Sequence, residues 1–176
     1  MITPAQATAF APGAGRFAEA LAEHLPAYDI TTGARVATFM AQVAHESGGF
    51  RYVRELWGPT MAQQRYEGRV DLGNTVAGDG KRYLGRGLIQ ITGRANYVAA
   101  SRAIYGDLRL VDEPSLLEQP DAAVQSACWF WGSRKLNDYA DAGQFETITR
   151  RINGGLNGYS DRVAWHQKAK SIWLMH

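Results

Sequence analysis

Apolar residues recur at intervals of three and four positions along much of this 176-residue chain. The clearest stretch places apolar side chains at i, i+3, i+4 and i+7, on one face of a helix: Val36, Phe39, Met40 and Val43. Thr31 or Thr32 can cap the start of this helix, and Gly48-Gly49 stops it. The pattern therefore predicts a core helix that ends close to residue 46.

The same reasoning predicts about seven helices. The others cover 4–25 with a break at Pro12-Gly13 and an end at Pro26, then 59–69, 96–105, 121–131 and 145–151, and a last helix capped by Ser160. Residues 50–56 favour a strand or an extended arm, 72–81 a surface loop, and 83–93 an irregular buried wall or short strand. We expect a mainly α-helical fold with at most a small β-hairpin. Because no repeat or linker interrupts the chain, we expect a single domain over residues 1–176.

Composition excludes several classes of protein. Hydrophobic content of 45% and charged content of 20% are typical of a soluble globular protein. A net charge of only +2 argues against a nucleic-acid binder held by phosphate contacts. The start of the chain lacks the pattern of a secretory signal, and no apolar run reaches 18 residues, so we expect synthesis in the cytoplasm and no stable membrane insertion. Cys128, the only cysteine, lies in an aromatic run and is expected to be a buried, inert thiol.

Two carboxylates stand out as candidates for chemistry. Glu46 lies at the predicted end of an apolar helix, where the helix dipole and partial burial favour the protonated carboxyl that a general acid needs. Glu55 follows nine residues later, and Glu67 is a rival for the second role. Inverting glycosidases use two carboxyl groups that are held about 6.5–9.5 Å apart. The alternatives are an exposed helix-end glutamate at 46, and a surface ion pair between Glu55 and Arg51 or Arg54.

The sequence contains no complete motif for a zinc, phosphate, dinucleotide or serine-nucleophile site. The zinc pattern that His45-Glu46 begins needs a second histidine at position 49, which is Gly49. The glycines of 78–81 and 85–87 complete neither phosphate-binding nor dinucleotide-binding patterns, and no Gly-x-Ser-x-Gly elbow is present. We therefore expect neither a metal nor a cofactor.

Four motifs occur in an order that resembles the family 19 glycoside hydrolases, the chitinases and the related lysozyme-like phage endolysins. They are Ala44-His45-Glu46-Ser47-Gly48-Gly49-Phe50, Gly85-Arg86-Gly87-Leu88-Ile89-Gln90-Ile91-Thr92-Gly93, Asn96-Tyr97 and Arg151-Ile152-Asn153-Gly154-Gly155. The resemblance runs from about residue 35 to 165. It implies a lysozyme-like, two-lobed helical fold with a substrate cleft, and an inverting mechanism.

The resemblance also implies roles for individual residues. Glu46 corresponds to the general acid, and Gln90 and Thr92 to a cleft-wall pair whose hydroxyl holds the attacking water. The other implied positions are two sugar-binding amides, a cleft-lining aromatic and a structural or cleft arginine: Asn96, Asn153, Tyr83 and Arg162. Plant-type chitinases carry the second glutamate further downstream in a longer, cysteine-bearing loop that is missing here. Glu55 as the base therefore fits the compact phage-type members better.

These features lead to the hypothesis of a peptidoglycan-cleaving endolysin with no separate wall-binding module. It would hydrolyse the β-1,4 bond between N-acetylmuramic acid and N-acetylglucosamine. We expect a monomer that reaches the wall from the host cytoplasm after a separate holin opens the membrane. The alternatives are a chitinase, a non-catalytic wall-binding module, and a toxin delivered by a bacterial secretion machine.

Overall fold

The structure, a computed structural model, describes residues 2–174 and is mainly helical. Its α-helices are α1 (Pro4–Phe10), α2 (Ala18–Ala27), α3 (Gly33–Glu46), α4 (Met61–Gln64), α5 (Asp79–Arg82), α6 (Arg94–Tyr105), α7 (Arg109–Asp112), α8 (Pro120–Ser133), α9 (Leu136–Asp141), α10 (Phe145–Asn153) and α11 (Tyr159–Trp173). Short 3₁₀-helices cover Pro12–Phe17, Val70–Leu72 and Pro114–Glu118. The predicted fold class is confirmed.

The described chain divides into two compact units, one made of residues 2–51 and 130–174 and the other of Tyr52–Trp129. The prediction of a single catalytic domain stays a prediction, and its boundaries at residues 1 and 176 lie outside the described residues. Within residues 2–174, none of the helices has the combination of length and apolarity that a membrane span needs.

The first unit is built around α3, which packs against α11. As predicted, Thr32 caps α3, its Oγ1 accepting a hydrogen bond from the Arg35 amide at 3.2 Å, and the helix ends at Glu46. Every residue from 36 to 44 is buried, so α3 is enclosed on all sides rather than along one stripe. Against it, the ring of Phe39 meets the buried Trp131 edge-on at 5.4 Å. A helix enclosed in this way is a rigid support for the residue at its end.

The second unit is organised by residues 83–93, which form the predicted irregular buried wall. Isolated antiparallel bridges join Arg86 to Arg54 and to Ile91. The Arg86 guanidinium donates to the Tyr97 hydroxyl at 3.0 Å and to Glu118 at 2.8 Å. Arg86 therefore ties the wall to α6 and to the Pro114–Glu118 turn.

Several local predictions were wrong for identifiable reasons. Pro26 lies inside α2 rather than ending it, and Gly158, not Ser160, caps α11. Only Met61–Gln64 is α-helical in the predicted helix 59–69, and the predicted loop 72–81 includes the start of α5. Residues 2–174 contain more than seven helices because four-residue helices are too short to show a hydrophobic period.

Candidate active site

Glu46 lies at the last position of α3 with its side chain 22% exposed. Its Oε1 accepts a hydrogen bond from the Nη2 of Arg162 at 2.5 Å, and the Arg162 side chain is only 1% exposed. Glu46 is thus neither an isolated carboxyl among apolar neighbours nor a free helix end. The buried Arg162 guanidinium holds one carboxylate oxygen of Glu46 in place. A guanidinium suits this role because its planar set of N–H donors matches the geometry of a carboxylate.

A chain of buried polar groups holds Arg162 itself. Its Nη1 donates to the Gln42 Oε1 at 2.6 Å, and the Gln42 amide donates to the Thr149 hydroxyl at 2.9 Å. Gln42 and Glu46 are four residues apart on α3, so both face the same way. The network joins α3, α10 and α11 and fixes where the Glu46 carboxylate sits.

His45 lies beside this network. Its Nδ1 is 2.7 Å from the Asp161 Oδ2, in the first turn of α11. Gly158 has a φ of 67°, and a Cβ added there would overlap the His45 imidazole ring. Glycine is therefore required at the cap of α11 both for its left-handed backbone and for the close approach of His45.

Glu55, the predicted second carboxylate, receives hydrogen bonds at both oxygens. Its Oε1 accepts from the Gln63 amide at 3.0 Å and from the Tyr66 hydroxyl at 3.2 Å, and its Oε2 accepts from the Gly85 backbone amide at 3.0 Å. The Glu55 backbone amide donates in turn to the Gly85 carbonyl at 2.8 Å. Glu55 therefore does not form the surface ion pair with Arg51 or Arg54 that the sequence left open as an alternative.

The predicted polar groups of the second unit meet around Gly85. A Cβ added to Gly85 would lie 2.8 Å from the Gln90 Oε1, 3.2 Å from the Thr92 Oγ1 and 3.3 Å from the Glu55 Oε2. The structure thus brings oxygen atoms of Glu55, Gln90 and Thr92 together on one side of Gly85, where a residue with a side chain would crowd them. The catalytic roles of these three residues stay predictions.

The backbone of the wall sets the positions of Gln90 and Thr92. Gln90 adopts a φ of 57°, a left-handed conformation that is uncommon for a residue with a side chain. Hydrogen bonds from its Nε2 to the Gly87 carbonyl at 3.0 Å and from the Thr92 hydroxyl to the Gln90 carbonyl at 3.0 Å support it. Strain of this kind is characteristic of functional sites.

Glu67, the rival second carboxylate, has a different environment. Its Oε1 accepts from the Gly78 amide at 2.6 Å and its Oε2 from the Gly80 amide at 2.8 Å. Both carboxylate oxygens of Glu67 therefore accept hydrogen bonds from backbone amides at the start of α5. Glu67 thus serves to close the loop before this helix, and Glu55 is the better candidate for the second role.

Two of the remaining predicted residues are buried and two are exposed. Tyr83 is 1% exposed, donates its hydroxyl to the Val111 carbonyl at 3.2 Å and packs against Tyr97, so the prediction that it lines a cleft is wrong. Asn96 is exposed, and its Nδ2 donates to the Thr92 carbonyl at 2.7 Å. Asn153 is exposed at the end of α10. Arg162 is a buried, structural arginine.

The sequence analysis missed Gln63 and Tyr66, which hold Glu55. Gln63 is 4% exposed, and besides Glu55 its side chain binds the Leu56 carbonyl and the amides of Gly58 and Thr60. Thr60-x-x-Gln63 matches the capping-box pattern and signalled part of this role. Burial and the neighbouring Glu55 carboxylate raise the pKa of Tyr66, which keeps its hydroxyl a donor near neutral pH.

Cys128 is fully buried as predicted, and burial raises the pKa of its thiol. A thiol of this kind is protonated and inaccessible, so it has no part in the site.

Comparisons with known proteins give consistent matches over most of the chain. A model of the family described as chitinase class I matches residues 9–140. A glycosyl hydrolase family 19 domain-containing protein of Haemophilus influenzae is 35% identical over 153 residues, covering 72% of this chain and 74% of that protein. An endochitinase of Arabidopsis thaliana is 39% identical over 139 residues, 77% of this chain and 45% of that protein. The chain thus spans about half the length of this plant relative.

A solved structure gives the same picture at the level of the fold. Chitinase C from Streptomyces griseus HUT6037 superimposes with a TM-score of 0.79 at 26% sequence identity. The superposition covers 98% of this chain and 76% of that chain.

Proposed function

The chain belongs to the family 19 glycoside hydrolases, and from this premise we propose that it degrades bacterial peptidoglycan as an endolysin. The bond cleaved is the β-1,4 bond between N-acetylmuramic acid and N-acetylglucosamine. The observation that carries the proposal is the convergence of oxygens from Glu55, Gln90 and Thr92 on one side of Gly85. A carboxylate, an amide oxygen and a hydroxyl grouped in this way suit an inverting glycosidase, which must orient and deprotonate a water molecule.

Glu46 supplies the proton in the proposed reaction. Its Oε1 is bound to Arg162, while among residues 2–174 its Oε2 has no hydrogen-bond partner. A protonated Oε2 can therefore donate to the glycosidic oxygen as the C1–O bond breaks. Arg162 stabilises the carboxylate that remains, and the buried network behind it keeps Glu46 from turning away.

Glu55 accepts the proton from the attacking water. Its Oε2 and the Thr92 hydroxyl orient this water, which adds to the anomeric carbon on the face opposite to the leaving oxygen. The β-linked sugar is thereby released with inverted, α configuration. Gln63 and Tyr66 hold the other oxygen of Glu55, and Gln90, Asn96 and Asn153 are the proposed contacts to sugar hydroxyls and N-acetyl groups.

The biological setting is part of the same proposal. The enzyme is a monomer made in the host cytoplasm, and a separate holin gives it access to the wall. A chitinase is the second candidate, because the plant and Streptomyces proteins that resemble this chain are described as chitinases. The two substrates share the β-1,4 bond and the N-acetyl group, and differ in the lactyl ether and its peptide.

Turnover by purified protein on two substrates tests the proposal. Purified peptidoglycan and soluble chitin oligosaccharide are each incubated with the wild type, Glu46→Gln and Glu55→Gln. We expect cleavage of peptidoglycan with little cleavage of chitin, and a loss of at least about 100-fold in each variant. Chitin cleavage alone would move the assignment to chitinase.

Glu19→Gln is the matched control, because Glu19 is an exposed glutamate on α2. It should retain full activity. Circular dichroism and urea unfolding confirm that each variant is folded. A folded Glu46→Gln protein with wild-type activity would refute the proposed acid.

A further inference from the structure

The first unit carries a cationic pocket outside the candidate active site. A cavity of about 470 Å³ is lined by Arg134, Lys135 and Arg151 together with Asp138 and Tyr139. Three cations and one acid give this pocket a charge of +2, as large as the net charge of the whole chain. We call these five residues the basic pocket.

The cations of the basic pocket are available for a ligand. Across the described residues 2–174, none of Arg134, Lys135 and Arg151 has a carboxylate within ion-pair distance. By contrast, the neighbouring Arg150 on α10 is paired with Glu146 at 2.9 Å. Unpaired cations grouped in a concave surface attract anions because their fields add there.

Aromatic rings hold both guanidinium groups in place. The Arg134 guanidinium lies 3.4 Å from the centre of the Phe130 ring, and the Arg151 guanidinium lies 4.4 Å from the centre of the Tyr139 ring. Stacking of this kind limits the rotamers of a long side chain, so less entropy is lost when a planar anion binds. A carboxylate matches the fork of a guanidinium in shape and charge.

From this arrangement we propose that the basic pocket binds carboxylates of the peptide stem of peptidoglycan. The inference rests on the proposed function, and it names the part of the substrate that separates peptidoglycan from uncharged chitin. Arg151 lies on α10 two residues before Asn153, a proposed sugar contact, about 3 Å along the helix axis and about 200° around it. Each extended stem residue spans up to about 3.5 Å, so a short stem can reach around the end of α10.

Two glycan substrates test the inference. Soluble peptidoglycan strands with their stems, and the same strands stripped of stems by an amidase, are compared for the wild type and the Arg134→Gln/Arg151→Gln double variant. With exposed charge pairs each worth a few-fold, we expect KM to rise about 10-fold on stem-bearing strands with kcat unchanged. The loss should be confined to that substrate. An equal loss on both substrates, or no loss on either, would overturn the inference.

Arg150→Gln is the matched control, being an exposed arginine on the same helix that is already paired. It should behave as the wild type on both substrates.

A binding assay separates failure of the pocket from failure of the proposed function. Titration of the Glu46→Gln protein with isolated stem peptide requires no turnover. We expect saturable binding that weakens with salt and is lost when Arg134 and Arg151 are also changed to glutamine. If the wild type cleaves no glycan, the proposed function fails. The titration then still tests whether the basic pocket binds the stem peptide. If inorganic phosphate binds as tightly as the peptide, the pocket is a general anion site and the stem assignment is wrong.

Discussion

Replacing Arg162 by methionine should destabilise the protein strongly although Arg162 is a charged residue. Methionine replaces the apolar stem of arginine and lacks the guanidinium, so the change removes the charge and its donors without adding bulk. The substitution leaves the Glu46 carboxylate without its cation and the buried Gln42 Oε1 without its donor. It therefore tests whether the buried network supports the fold as well as the site.

The expected size follows from burial. Arg162 is 1% exposed and Gln42 is fully buried, whereas the Glu46 side chain is 22% exposed and can be partly hydrated. Breaking a buried pair by removing one partner costs about 3–5 kcal/mol, and an unsatisfied buried acceptor contributes about 1–3 kcal/mol of that. Because Glu46 reaches water, we expect a loss near the lower limit, about 3 kcal/mol.

Urea unfolding at pH 7, followed by circular dichroism, measures the difference in free energy of unfolding. Arg150→Met is the control, since Arg150 is 55% exposed in an i,i+4 pair and should lose at most about 0.5 kcal/mol. If Arg162→Met is destabilised by less than about 1 kcal/mol, the network is not a structural element and the reasoning about Glu46 fails.

Three further changes have defined outcomes. Gly85→Ala places a methyl group 2.8–3.3 Å from oxygens of Gln90, Thr92 and Glu55, which must move, so kcat should fall about 100-fold in steady-state assays; a wild-type kcat would contradict the role of these oxygens. Tyr66→Phe removes one of the donors that position the Glu55 carboxylate, so kcat should fall roughly 10-fold in steady-state assays; an unchanged kcat would contradict the contact. Burial lowers the pKa of His166 to about 4 from 6.5. Below pH 6.5 the unfolded chain therefore binds a proton at His166 that the folded chain does not bind. The free energy of unfolding should fall by about 1–3 kcal/mol between pH 6.5 and 4, and it should fall less steeply in His166→Phe. Parallel plots of the free energy of unfolding against pH for the two proteins would refute this cause.

Features that depend on neighbouring residues in the chain were predictable. The end of α3 at Glu46 followed from apolar spacing and a glycine stop, and its start from the threonine pair Thr31-Thr32, of which Thr32 is the cap. The irregular wall at 83–93 followed from its mixture of aliphatic residues and glycines. These signals are local because helix periods and caps arise within a few residues.

Features that depend on distant contacts were not predictable in the same way. The partners of Arg162 on α3 lie 116 and 120 residues away in the chain, so no local pattern points to them. The cap of α11 is Gly158 rather than Ser160, and the ring of His45, distant in the chain, occupies the space that a side chain at position 158 would need. Tyr83 was assigned to a cleft by resemblance, but its hydroxyl is used inside the core.

The anomeric form of the first product tests the central claim most directly. Cleavage of peptidoglycan strands by the wild-type enzyme is followed by proton NMR during the first minutes, before mutarotation mixes the anomers. The account predicts that the new reducing end appears as the α-anomer, because water held by Glu55 and Thr92 attacks opposite to the oxygen that Glu46 protonates. A new reducing end that appears first as the β-anomer would contradict this assignment of the two glutamates.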